Sequence, residues 1–102
     1  MNPISDFFLT PADVAKELAQ RVKQRRLEQQ LTQAELAKKA DIPLSTYRRF
    51  EQTAQISLEG LLNVAFALGL LEDVNQLFTN KTWSSIDDML QQTKTKQRVR
   101  HD

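Results

Sequence analysis

Arg48 and Arg49 stand side by side in a polar, basic stretch after Pro43, LSTYRRFEQ from Leu44 to Gln52. A guanidinium is a planar fork of N–H donors that fits guanine O6 and N7 in two bonds, discriminating by about 1–3 kcal/mol per base pair. The same fork also fits phosphate, so generic backbone attraction is the plainer use of both arginines. Ser45 suits base edges or phosphate, Thr46 suits phosphate, and Leu44 offers only contact to a thymine methyl. Composition closes off most other chemistry. There is no cysteine and a single histidine, His101, so thiolate or histidine metal clusters and histidine-based triads are excluded. With only Gly60 and Gly69, a phosphate-cradling glycine loop is excluded too. The chain shows no nucleophile–base pair or carboxylate cluster and reads as neither an enzyme nor a cofactor protein.

The elements that must hold those arginines are short helices. Thr32 and Glu35 form a T-x-x-E capping box, after which Leu36, Ala37 and Ala40 recur at helical spacing. This predicts a helix from Gln33 to Ala40. Asp41 suits a left-handed exit, and Pro43, with preset φ and no N–H, suits the first position of the next helix. That helix, Leu44 to about Gln52, turns Tyr47 and Phe50 inward and Ser45, Thr46, Arg48 and Arg49 largely outward. A preceding helix, about Pro11 to Gln29, starts at Thr10 and places Val14, Ala15, Leu18 and Val22 on one face. Ser57 caps a fourth helix, Leu58 to Leu68, with Leu58, Leu61, Leu62, Ala65 and Leu68 as its apolar stripe and Gly69 as its C-cap. A fifth, Leu71 to Phe78, groups Leu71, Val74, Leu77 and Phe78. Two helices across a tight turn, the second basic on its far side, match the geometry that enters a DNA major groove.

LTQAELA, the turn after it, and Tyr47 and Glu51 at their spacing resemble the phage-repressor/Cro (xenobiotic-response-element) helix-turn-helix family, and RVKQRRLEQQ (Arg21–Gln30) resembles its first helix. The likeness covers about Leu18 to Gly69. Asp41 and Gln30 stand where that family often has Gly, and Pro43 where it often has a Ser or Thr N-cap. The resemblance implies a DNA contact from Gln33 and an internal ion pair between Arg26 and Glu51. It implies a sequence-specific repressor that binds a palindromic operator on double-stranded DNA as a homodimer. The plan also resembles HipB-like antitoxins, which repress their own operon and engage a HipA-type kinase toxin. A protein-interaction adaptor that reuses the bundle without reading DNA is the alternative.

The expected architecture is therefore all-α: a five-helix repressor-like bundle with a helix-turn-helix, plus a short C-terminal helical extension. Residues 1–9 form an N-terminal segment, 10–78 the helix-turn-helix domain, 79–93 the extension, and 94–102 a basic, disordered tail. Ser84 and Asp87 start a short helix, Ser85 to Gln92. With Phe78 and Trp83, its Ile86, Met89 and Leu90 make an apolar surface that either packs on the fifth helix or forms a dimer interface. The net charge of +1 conceals a division: residues 10–53 carry nine basic and six acidic side chains, while 54–93 carry one and five. Such asymmetry separates a half that faces a polyanion from one that avoids it. The longest apolar run is too short for a bilayer and no signal peptide is evident, which points to the cytoplasm and no membrane.

Overall fold

The computed structural model describes residues 9–80, which form five α-helices and no strand. They are α1 (Pro11–Glu28), α2 (Gln33–Lys39), α3 (Leu44–Thr53), α4 (Leu58–Ala67) and α5 (Leu71–Asn75). The anticipated 1–9 segment (all but Leu9), the Ser85–Gln92 helix with Trp83, Ile86, Met89 and Leu90, and the 94–102 tail lie outside the described residues.

Local chemistry sets the helix starts. Thr10 and Thr32 each complete a reciprocal capping box, with Asp13 and Glu35 respectively, and the Ser57 hydroxyl accepts from the Gly60 N–H. Pro43 is the N-cap of α3 and not its first residue, and it has no side-chain cap. Its carbonyl accepts from the Tyr47 N–H at 3.1 Å, so the helix begins at Leu44 as expected, with Pro43 outside it as the cap.

The helix exits are strained in a consistent way. Gln30, Asp41 and Ala54 take positive φ (59°, 58° and 64°) just past α1, α2 and α3, and Gly69 does so at 77° past α4. At Gly69 the following amide, that of Leu70, closes back on the Ala65 carbonyl at 2.7 Å. Only the glycine accepts that conformation without a Cβ penalty.

The core gathers Ala19, Leu36, Ala37, Ala40, Tyr47, Phe50, Val64 and Leu68. Tyr47 and Phe50 meet with tilted rings, 6.0 Å between centroids. Three apolar expectations need correction. On α1 the inner face is Ala19, Val22 and Arg26, at i, i+3 and i+7, which swings Leu18 to the edge with 38% of its surface exposed. On α4 Val64 is fully buried, whereas Leu58 is exposed. The helix expected to reach Phe78 stops at Asn75: the Gln76 amide still reaches the Glu72 carbonyl, but those of Leu77 and Thr79 bond back three residues, to Val74 and Gln76. Phe78 then takes φ 63° and is fully exposed. With α5 so short, Leu58 at the start of α4 stays 70% exposed.

Candidate nucleic-acid interface

Positions 45, 48, 49 and 52 fall on one side of α3 at 100° per residue, and all four side chains, Ser45, Arg48, Arg49 and Gln52, are exposed. The opposite side is Tyr47 and Phe50, 0% and 2% exposed. Leu44 is half-buried and packs against the core, and Thr46 is half-buried as well. Thus Ser45, Arg48 and Arg49 of the expected set share the outer face, while Leu44 and Thr46 sit at its borders. Gln52 was missed, although its spacing from Ser45 and Arg49 was legible.

The two arginines differ in their surroundings. Arg49 donates from Nη2 to the Gln55 side-chain oxygen, and its carbonyl accepts from the Thr53 hydroxyl at 2.7 Å. Its guanidinium is thereby turned toward the exit of α3. Arg48 forms no hydrogen bond or ion pair among the described residues. Gln55 could not be found from spacing, because the left-handed Ala54 reverses the chain in front of it.

What fixes α3 is one carboxylate. Glu51 accepts from Arg26 twice, Nε at 2.8 Å and Nη2 at 3.2 Å, across from α1. It also accepts from the Tyr47 hydroxyl within α3 and from Gln33 Nε2, at 2.9 Å, at the start of α2. Arg26 uses its third guanidinium nitrogen, Nη1, to donate to the Leu31 carbonyl at 2.8 Å in the α1–α2 turn. The side chains of Arg26 and Glu51 are 8% and 5% exposed, and no buried side-chain polar atom among the described residues lacks a partner. Glu51 therefore ties three helices together at the base of the outer face. Gln33 is half-buried with its amide nitrogen on Glu51, so the structure gives it an internal partner as well as a place at the α2 N-terminus.

Burial alone would push the Glu51 carboxyl up, but the hydrogen bonds from Arg26, Tyr47 and Gln33 outweigh it and hold its pKa below the ordinary 4.5. Burial first, then Glu51, drives the Tyr47 phenol well above its ordinary 10.0. A depressed folded pKa means that the unfolded chain binds the proton more readily. The contribution of Glu51 is thus complete above about pH 5 and shrinks as pH falls through the unfolded and then the folded value. Urea midpoints measured between pH 6 and 3 are expected to fall with pH in the native protein. In Glu51→Gln the same curve should start lower and be flatter; an unchanged slope would mean that Glu51 is not held below its ordinary pKa.

Two helix N-termini flank this surface. The box at Thr32 uses the Glu35 amide, leaving those of Gln33 and Ala34 without an intrahelical acceptor, and the uncapped start of α3 leaves those of Leu44, Ser45 and Thr46. Such amides, at the positive end of a helix dipole, suit phosphate.

A tight turn between α2 and α3, an inner face locked to α1 and an outer face carrying two arginines define a helix-turn-helix. Residues 22–70, just under half of the chain, match the model of a helix-turn-helix family, which supports a DNA-binding transcription regulator. No curated protein matches the sequence. No helix among the described residues is long and apolar enough to cross a membrane.

Proposed function

We propose that the chain is a sequence-specific transcriptional repressor that binds operator DNA as a homodimer. In this reading α3 lies in the major groove, Arg48 and Arg49 reach base edges, and Ser45 and Gln52 line the same face. Gln33, Leu44 and Thr46 stand at its rim, where the free amides of α2 and α3 meet phosphates. The observation that carries the proposal is the α3 outer face, polar and basic along its length and held from behind by Glu51. Repression follows from occupancy of a promoter and needs no catalysis. Two-fold dimers read two half-sites about one helical turn apart, which raises affinity beyond that of a lone helix-turn-helix. Leu58, Leu71, Leu77 and Phe78, all exposed at the α4–α5 end, give a second copy an apolar surface to meet.

Phosphate contacts release counterions, so log affinity plotted against log salt is expected to fall with a slope of about −0.9 per phosphate contacted. A flat line would favour an adaptor that binds a protein partner and leaves DNA unread. The finer reading, an antitoxin that represses its own operon, rests on the HipB-like resemblance alone. It expects co-expression to relieve the growth arrest caused by a HipA-type kinase; undiminished arrest would remove the antitoxin role and leave the repressor standing.

A further inference from the structure

A groove runs between α1 and α5 above α4. Leu18 and Val22 form one wall, Val74 and Leu77 the other, and Leu61 and Ala65 lie along the floor. Leu18 and Leu77 keep 38% and 54% of their surface exposed, so the groove is apolar and open. Arg21 and Arg25 stand along its α1 rim, opposite Asp73 on α5. Their described partners are Glu17 and Glu28 on the same helix, in solvent-exposed pairs that hold little energy and exchange readily. A second apolar depression lies across α5, lined by Leu58, Leu62, Leu71 and Phe78, with Glu72 at its edge and no basic residue among the described residues that line it.

We propose that the chain's own segment from Trp83 to Leu90 occupies the α1–α5 groove. That segment, WSSIDDML, sets Trp83, Ile86, Met89 and Leu90 around two adjacent acids, Asp87 and Asp88. Apolar side chains fill the groove and the acids meet the rim of Arg21 and Arg25. Among its described lining residues the depression across α5 offers the same segment a like charge, Glu72, and no basic partner, so charge favours the groove. Continuity selects the same chain over a second copy. Leu77 already lines the groove, and the six backbone steps from there to Trp83 span at most roughly 20 Å. So short a tether gives an effective concentration in the millimolar range, above that of a second copy in dilute solution. Filling this groove from within leaves the Leu58–Phe78 side open for the second copy.

The absence of cysteine from the chain makes the test direct. In the full chain, Leu18→Cys is paired in turn with Ile86→Cys, Met89→Cys and Leu90→Cys under mild oxidation. Phe66→Cys, exposed on α4 and lining neither depression, replaces Leu18→Cys in the control pairs. At least one Leu18 pair is expected to close ten times faster than its control, giving a product that runs as a monomer on a non-reducing gel. If Leu18→Cys lowers helix content, Leu77→Cys takes its place with the same expectation. Combining Arg21→Glu with Arg25→Glu should slow that closure, and adding Asp87→Lys with Asp88→Lys should restore it. A covalent dimer as the main product would assign the groove to a second copy and overturn the proposal. Rates equal to the controls for every pair would overturn it as well.

Discussion

Arg26→Met is expected to destabilise the fold by about 3–5 kcal/mol, the cost typical of stranding one partner of a buried ion pair. The loss is large because Glu51 cannot turn to solvent. Its side chain is 5% exposed, and it would keep only Tyr47 and Gln33 as donors. The Leu31 carbonyl would lose its guanidinium donor in the same step, loosening the α1–α2 turn. Methionine fills much of the arginine stem's volume, so lost packing contributes little to the comparison. The double variant Arg26→Met/Glu51→Met leaves no charge stranded and should recover part of the stability, although the Tyr47 hydroxyl then lacks its acceptor. Urea unfolding of the three proteins at pH 7 checks this. A loss below about 1 kcal/mol in Arg26→Met would show that the pair behaves like a solvated surface bridge.

Arg48→Ala and Arg49→Ala should act on DNA binding and leave folding almost untouched, since both side chains are exposed. An arginine that reads a base contributes about 1–3 kcal/mol of discrimination at that base pair, roughly five- to 150-fold. Its removal should flatten preference at one position of each half-site. An arginine that meets only phosphate should weaken binding to every sequence alike and make the salt dependence shallower by about one contact. The structure separates the two residues in advance. The Arg49 fork is held by Gln55 toward the exit of α3, so Gln55→Ala should reproduce part of the Arg49→Ala effect. Arg48 has no such neighbour, and Gln55→Ala should leave its position in the half-site unchanged. Binding to a panel of singly substituted duplexes distinguishes these outcomes.

Much of the bundle was legible because the signals were local. The T-x-x-E box at Thr32, Ser57 before α4 and Gly69 after it each satisfy backbone groups within one turn, and spacing reveals them. The inward turn of Tyr47 and Phe50 followed from the same periodicity. The pairing of Arg26 with Glu51 was implied by resemblance, since residues so far apart in sequence carry no mark of their contact. Tyr47 and Gln33 as further donors to that carboxylate were not foreseen. A hydroxyl at the tip of a core ring and an amide at a helix start look complete in isolation.

The misplacements were tertiary. Leu18 and Leu58 look like core residues on a helical wheel, but what covers a wheel position depends on the neighbouring helix. Ala19 lies nearer the centre of the α1 inner face, and α5 ends too early to roof Leu58. By periodicity Phe78 belongs at the end of an apolar stripe. Its left-handed backbone instead takes it out of the helix and into solvent. Gln52 belongs with the outer face by spacing alone, whereas Gln55 lies beyond a reversal that no periodicity carries across.

The most direct measurement is selection of bound duplexes from a random DNA pool by the native chain at low ionic strength. An enriched motif with two-fold symmetry is expected, and repeating the selection with Arg48→Ala and Arg49→Ala together should erase its strongest positions. A recovered pool no different from the starting one would contradict base reading by α3.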